Sequence, residues 1–272
     1  MFNEVRFEVL GPVRGWHGET ELELGPPQQQ AVLAMLLLAR GRQVSLDALV
    51  DGVWGADVPR SAGPTIRTYV SRLRRSMDAA SAGEGRRLIE SVGDGYVLRL
   101  GPAFLDLDAF ELWLSGAREA RQRNDTARGA RLLRDALGLW RGNALAGVPG
   151  PYADSRRVTL AELHLAATEE KLTLDIALGD HAAAIAELRG LLAAHSFREG
   201  LSELLMLALY KSGRQAEALD VFDTTRQRLR TGLGIDPGPS LRTLHQRVLR
   251  ADGRLLGGVP PRPSARGAVH VR

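Results

Sequence analysis

The side chains with the most to say about chemistry lie between residues 60 and 87. This stretch carries Arg60, Arg67, Arg72, Arg74, Arg75, Arg86 and Arg87 against only Asp78 and Glu84. So dense a run of fixed positive charge is the electrostatic footprint of a surface that meets phosphates. The charge is local, since residues 1–100 as a whole hold 12 arginines and 12 acidic residues. The choice of arginine says less, because Lys171 and Lys211 are the only lysines and a GC-rich genome would give the same bias. Other chemistries find no support. Without cysteine there is no disulfide, thiolate-metal site or cysteine nucleophile. Neither lysine follows a glycine, so there is no P-loop. His164 with Glu169 and Glu170 lacks metalloprotease spacing, and His181 and His195 sit within helical repeats, so the histidines read as satisfied or solvent-facing. No Gly-x-Ser-x-Gly motif occurs. The expectation is a chain that is not an enzyme and has no cofactor or metal.

The arginines fall on two elements. Pro64 suits the first turn of a helix running to about Ala80. At roughly 100° per residue, Ile66, Tyr69, Val70, Leu73 and Met77 share one apolar face. Thr68, Ser71, Arg72 and Arg75 lie opposite, Arg67 and Arg74 lie on the flanks, and no acid comes before Asp78. A solvated surface helix usually mixes acids and bases in i,i+4 pairs. A helix entering the major groove instead needs an anchored apolar face and an outer face of guanidinium forks and hydroxyls. Arg67, Thr68, Ser71, Arg72, Arg74 and Arg75 are therefore the candidate DNA contacts. Downstream, the strand-like runs Arg86–Val92 and Tyr96–Leu100 meet through Gly93-Asp94-Gly95, a hairpin signal. Arg86 and Arg87 open its first strand and are expected to grip backbone phosphates. Tyr96 is expected to pack against the helices.

The rest must position these elements. Val5, Phe7 and Val9 alternate with charged residues, as do residues 19–24, with Gly15-Trp16-His17-Gly18 read as the turn between two strands. After Pro26-Pro27 a helix is expected over 28–40, stopped at Gly41. Ser45 should cap a short helix from Leu46 to Trp54. Strands, three helices and a hairpin, in that order, make a winged helix-turn-helix domain, assigned to residues 1–102. Its apolar faces, such as Leu33, Leu37, Leu49, Val53, Ile66 and Leu73, are expected to let it fold alone. From Leu105 to Arg250 the pattern is helical, punctuated near 124, 142–151, 179, 200, 213 and 232–239. Gly179-Asp-His-Ala-Ala-Ala-Ile185 matches Gly213-Arg-Gln-Ala-Glu-Ala-Leu219 at an offset of 34 residues, the period of tetratricopeptide helix pairs, and Leu188 matches Phe222. A fainter copy starts at Asn124. The fold class expected is mainly α with a small β component: the winged helix, then an all-helical tetratricopeptide-like domain over 103–252. Residues 253–272, rich in Gly, Pro and Arg, are expected to be a disordered tail. Met1–Leu10 has no apolar stretch and includes Glu4 and Glu8, so no signal peptide is read there. The longest apolar run, Ala31–Ala39, is about half a membrane span. A soluble, cytoplasmic and nucleoid-associated protein with no membrane partner is expected.

Specific segments carry a family resemblance. Gly11-Pro12, Arg67-Thr-Tyr-Val-Ser-Arg-Leu-Arg-Arg75 and Ile89-Glu-Ser-Val-Gly-Asp-Gly-Tyr-Val-Leu98 resemble the winged helix of OmpR-type regulators. Leu107-Asp-Ala-Phe110, Ala136-Leu-Gly-Leu-Trp-Arg-Gly142 and Gly234-Ile-Asp-Pro-Gly-Pro-Ser-Leu241 resemble the bacterial transcriptional activation domain. Together, over about residues 5–251, the chain resembles the Streptomyces antibiotic regulatory protein family. The resemblance implies a transcriptional activator of antibiotic (secondary-metabolite) biosynthesis genes. Its expected partners are double-stranded DNA with a direct-repeat operator, a second protomer bound side by side as a dimer, and RNA polymerase including its sigma factor. Ending at residue 272, the chain is expected to be either a short member or the N-terminal part of a long one, with no room at its N-terminus for a phosphoacceptor receiver domain. Val92 stands where many OmpR-type wings carry arginine, which weakens any base contact at the wing tip. The competing reading is a non-DNA adaptor or ligand-sensing scaffold, which the 34-residue repeat alone would favour and the basic helix and hairpin oppose.

Overall fold

The computed structural model describes residues 5–81, 88–100 and 104–256. It opens with a four-stranded sheet in the order β3-β2-β1-β7, made of β1 (Val5–Glu8), β2 (Arg14–His17), β3 (Thr20–Glu21) and β7 (Phe104–Leu105). Neighbours are antiparallel except β1 and β7, which are parallel. Of the turn expected at residues 15–18, residues 15–17 are instead strand. Gly15 lies where a Cβ would come within 2.9 Å of the Phe7 ring, and Trp16 is held between Arg6 and Arg14, whose guanidinium carbons sit 4.4 and 4.8 Å from its ring. The chain reverses three residues later, where Gly18 takes φ +59°. Past β3 no ladder forms, yet the expected alternation survives: Leu22 and Leu24 are buried while Glu21 and Glu23 face out.

Three helices follow and pack on one another, with α3 also against β2: α1 (Pro27–Leu38), α2 (Leu46–Trp54) and α3 (Ala62–Ser81). Nearly every side of α1 is buried, so it forms the centre of the winged-helix core. The start of α2 is fixed by Ser45, whose hydroxyl accepts the Ala48 N–H at 3.2 Å. A second sheet, in the order β4-β6-β5, joins β4 (Val44–Ser45) to the hairpin of β5 (Ile89–Val92) and β6 (Gly95–Leu98). Gly95 is obligatory there, since a Cβ would meet the Ser45 Cα at 2.8 Å and strike the Val44 carbonyl.

The helical part comprises α4 (Asp106–Gln122), α5 (Thr126–Leu137), α6 (Pro151–Leu178), α7 (His181–Ala194), α8 (Glu199–Lys211), α9 (Gln215–Leu233) and α10 (Pro239–Leu249). The internal repeat is a repeat of turn geometry. Asn124, Gly179 and Gly213 take φ +59°, +93° and +78°. In each turn the next residue's N–H reaches back five residues at 2.9 Å, from Asp125 to Ala120, Asp180 to Asp175 and Arg214 to Leu209. The faint copy at Asn124 is thus a helical hairpin of the same design. The matched positions Ile185, Leu188 and Phe222 are buried, and Leu219 packs against them. The expected break at 200 falls inside α8; the interruption is at 195–198. Residues 253–256 form a short 3₁₀ helix that buries Leu255, so order extends past the expected start of the tail, whose remainder lies outside the described residues.

Packing groups the chain differently from a division after residue 102. Two compact units divide between Lys171 and Leu172. In the first, the helical segment is sewn into the N-terminal sheet. The Asp106 carboxylate, 1% exposed, accepts the N–H groups of Val9 (2.9 Å), Leu10 (2.9 Å) and Leu107 (2.8 Å). The carbonyls of Val9 and Leu10 in turn accept from Leu145 N–H (3.0 Å) and Arg141 N–H (2.9 Å). Arg141 also pairs with the buried Glu8, and Arg40 with Asp108 and Glu111 at 2.9 and 2.7 Å. Gly150 lies close enough that a Cβ would come 2.7 Å from the Val53 carbonyl. Trp140 packs edge-on to Phe110 and His164. Burial pushes the Asp106 carboxyl up to about 6, against its three N–H donors and with the help of nearby Glu8.

Candidate nucleic-acid interface

Along α3 the division of faces is the expected one. Ile66, Val70, Leu73 and Met77 are at most 2% exposed, and Tyr69 is half-buried at the edge, its hydroxyl donating to Gln28 Oε1 at 2.9 Å. Arg67, Thr68, Ser71, Arg72 and Arg75 are exposed. Among the described residues the guanidiniums of Arg67, Arg72 and Arg75 make no ion pair or hydrogen bond, so their donors are free for a ligand. Thr68 turns its hydroxyl back onto the Pro64 carbonyl at 3.0 Å, which leaves its methyl group and oxygen lone pairs outward.

Arg74 has a different place. Its Nε donates to the Ile89 carbonyl at 2.8 Å, its Nη2 to Ser91 Oγ at 3.0 Å, and its guanidinium lies 5.7 Å from the Tyr96 ring. It is a strut between α3 and the β5–β6 wing, and Tyr96 is the half-buried platform for that cation as well as a packed aromatic. Sequence periodicity alone put Arg74 on a flank of the helix; the partner that claims it lies 15 residues on. Arg74→Ala is expected to cost about 1–2 kcal/mol of stability through the lost charge-assisted bonds. It should weaken binding to all duplexes by a similar factor. A thermal melt paired with binding to selected and random duplexes checks this, and a changed base preference would make Arg74 a reader after all.

The wing is braced at its tip by a residue that sequence reasoning missed. Gln43 Nε2 donates to the Val92 carbonyl at 2.9 Å and to Asp94 Oδ1 at 3.1 Å, and Leu46 N–H donates to the Asp94 carbonyl at 3.1 Å. Nothing local marks Gln43, because its partners are some 50 positions away. Arg86 and Arg87 lie outside the described residues. Beside α3 a cleft of about 510 Å³ separates Arg72, Arg75 and Ser76 from the outward acids Glu21 and Glu23. Arg14, at 2.7 and 2.8 Å, holds the Glu21 carboxyl below the usual range, so Glu21 is already neutralised. No described helix is long and apolar enough to cross a membrane.

An exposed arginine face on α3, with no acid before Asp78 and braced to a β-hairpin, has the layout that a winged-helix DNA-reading surface requires. Two family profiles match along the chain: "Transcriptional regulatory protein, C terminal" over residues 19–98 and "Bacterial transcriptional activator domain" over residues 105–249. Regulatory protein DnrI of Streptomyces peucetius is 32% identical over 266 residues, covering 96% of this chain and 98% of its own. The chain belongs to the Streptomyces antibiotic regulatory protein family. Within the family, Regulatory protein AfsR of Streptomyces griseus is 48% identical over 251 residues, 92% of this chain. The chain spans only 25% of the length of that relative. The fold is that of Mycobacterium tuberculosis EmbR, solved with a low-affinity phosphopeptide: TM-score 0.86 at 34% identity, over 91% of this chain and 65% of that one. The two matched profiles are those of transcriptional regulators, and the winged helix followed by helical hairpins is the order expected from the sequence.

Proposed function

We propose that the chain is a sequence-specific DNA-binding activator in which α3 reads bases in the major groove through Arg67, Thr68, Ser71, Arg72 and Arg75. Arg74 sets the wing against α3, and Arg86 and Arg87 grip phosphates at the wing's base. The observation that carries this reading is the face of α3 itself: three guanidiniums without partners, on a helix whose other side is sealed into the core. Arginine forks match the O6 and N7 of guanine, and hydroxyls serve bases or backbone. Residues 1–102 do the reading, and the helical hairpins hold RNA polymerase, including its sigma factor, and a neighbouring protomer beside a direct-repeat operator. Recruitment needs only modest contacts, since each ~1.4 kcal/mol raises promoter occupancy tenfold. By its likeness to DnrI and AfsR, we assign its targets to antibiotic biosynthesis genes and its place to the cytoplasmic nucleoid.

A salt titration of binding to random duplex is the first test. Log K should fall linearly with log salt, with a slope near −0.9 for each phosphate neutralised. No binding at low salt would leave the helical-repeat adaptor as the function.

A further inference from the structure

A second arginine-rich surface lies at the tip of the α4–α5 hairpin. Residues 118–134 carry Arg118, Arg121, Arg123, Arg128, Arg131 and Arg134 against Glu119 and Asp125. Packing decides where they point. α5 buries Gly129, Ala130, Leu133 and Ala136, so Arg128 and Arg131 are turned out, and Arg123 is exposed in the turn. Asp125 is occupied with the backbone, accepting the Arg128 N–H at 3.1 Å as the cap of α5. Arg118 and Arg121 share one carboxylate, Glu170, at 4.0 and 3.5 Å, too far for strong neutralisation of either. Among the described residues the side chains of Arg123, Arg128 and Arg131 have no partner.

We propose that this hairpin tip is a second contact for DNA phosphates, made outside the bases under α3. The proposal rests on α3 binding duplex DNA. Two features favour a polyanion over a protein partner. A protein interface needs a desolvated apolar centre, and among the described residues the large apolar side chains exposed in the first compact unit are Val58, Val92, Leu112 and Val158, none of them between 118 and 134. Opposing carboxylates on a protein would also have to desolvate several mobile arginines, whereas a duplex offers closely spaced charges that exchange counterions for them without burial. The tip lies in the same compact unit as α3, so its phosphate contacts would add to those of the reading head at the ordering cost of side chains alone.

The test uses the full chain and an operator selected from random-sequence duplex, prepared once as a minimal duplex and once with long flanks. Arg123, Arg128 and Arg131 are changed together to Ala, and separately together to Lys; all three are exposed, and an unchanged thermal midpoint establishes that the fold is intact. On the flanked duplex the alanine variant should flatten the log K against log salt slope by roughly two to three units, since each contact contributes about 0.9. The lysine variant should restore it, because a phosphate contact asks for charge and not for a planar fork. Base preference should not change. An unchanged slope on the flanked duplex overturns the proposal, and an unchanged slope with lost activation in a purified transcription assay would assign the surface to an acidic protein partner instead. Wild-type protein that binds no duplex at all would overturn the α3 reading and this one with it. Binding by the wild type with an unaltered slope in the variant overturns only the second contact.

Discussion

Asp106→Ala is expected to lower the stability of the first compact unit by about 3–5 kcal/mol, the range for stripping a buried hydrogen-bond hub of its partner. For a unit of this size that corresponds to a drop in thermal midpoint of roughly 10 °C. The carboxylate is 1% exposed and accepts three backbone N–H groups, two of them from Val9 and Leu10, which are themselves wholly buried. Both donors are wholly buried, so removing the carboxylate takes away their only acceptor at a site away from bulk water, and the variant bears much of their desolvation cost. Asp106→Asn should fare little better, since an amide offers one acceptor where two are used and turns an N–H₂ toward donors. Calorimetry on the purified chain decides the matter; a midpoint shift under about 2 °C, equivalent to less than ~1 kcal/mol, would mean that the hub is not structural.

The same residue gives the unit an unusual pH response. Burial lifts the Asp106 carboxyl from 3.8 to about 6 in the fold. A raised folded value means that the folded chain binds more protons than the unfolded one between about pH 4 and 6, so the proton-linked part of this group's contribution to stability grows as the pH falls through that window and is absent well above it, where only the hydrogen bonds of the carboxylate remain. The gap in stability between wild type and Asp106→Ala should therefore widen by about 1 kcal/mol from pH 7 to pH 5, each unit of difference being worth ~1.4 kcal/mol. A gap that narrows would mean that the three N–H donors outweigh burial. The seam also bears on where the chain can be cut. A fragment of residues 1–102 has the apolar helix faces that led to the expectation of independent folding, but it lacks β7, Asp106, Arg141 and Leu145. Both peptide groups of Val9 and Leu10 then lose their partners. Residues 1–102 should give a broad, weakly cooperative melt, and residues 1–171 a sharp one.

What the sequence revealed, and what it hid, follows from how far each signal reaches along the chain. The bounds of α2 were legible because Ser45, the apolar spacing of Leu49 and Val53, and Gly55 all act within one or two helical turns. The α3 faces were legible for the same reason. The β2 strand reads as a turn in the sequence because Gly15 and Gly18 look alike in a local window; only the packing of Gly15 on Phe7 tells them apart. Arg74 read as one flanking arginine among several, and its diversion to Ile89 and Ser91 depends on how the wing folds back. Asp106 gave no sign at all, since Val9 and Leu10 are 97 and 96 residues away. The long-range polar hubs were hidden, while the periodic surfaces to which we assign the function were not.

Arg72→Ala and Arg75→Ala should have the largest effect on recognition. Each is expected to weaken binding to the selected operator by ~1–3 kcal/mol, or about five- to 150-fold, and to relax preference at one base position. The expectation follows from geometry: both are exposed on the outer face of α3, which carries no acid before Asp78, both lack partners among the described residues, and both line the same cleft. They stand three residues apart on one helix face, close enough to share a base step, so the double variant need not show the sum of the single losses. Lysine should not rescue either position if the contact is a bidentate fork on guanine, because an ammonium is a point charge that cannot match O6 and N7 together. This separates them from the hairpin-tip arginines, where lysine should suffice. Binding to random duplex should fall much less, by the share of charge removed. Full rescue by lysine would reassign the pair to phosphates, and unchanged operator affinity in both alanine variants would remove α3 as the reading helix, leaving the wing to supply sequence preference.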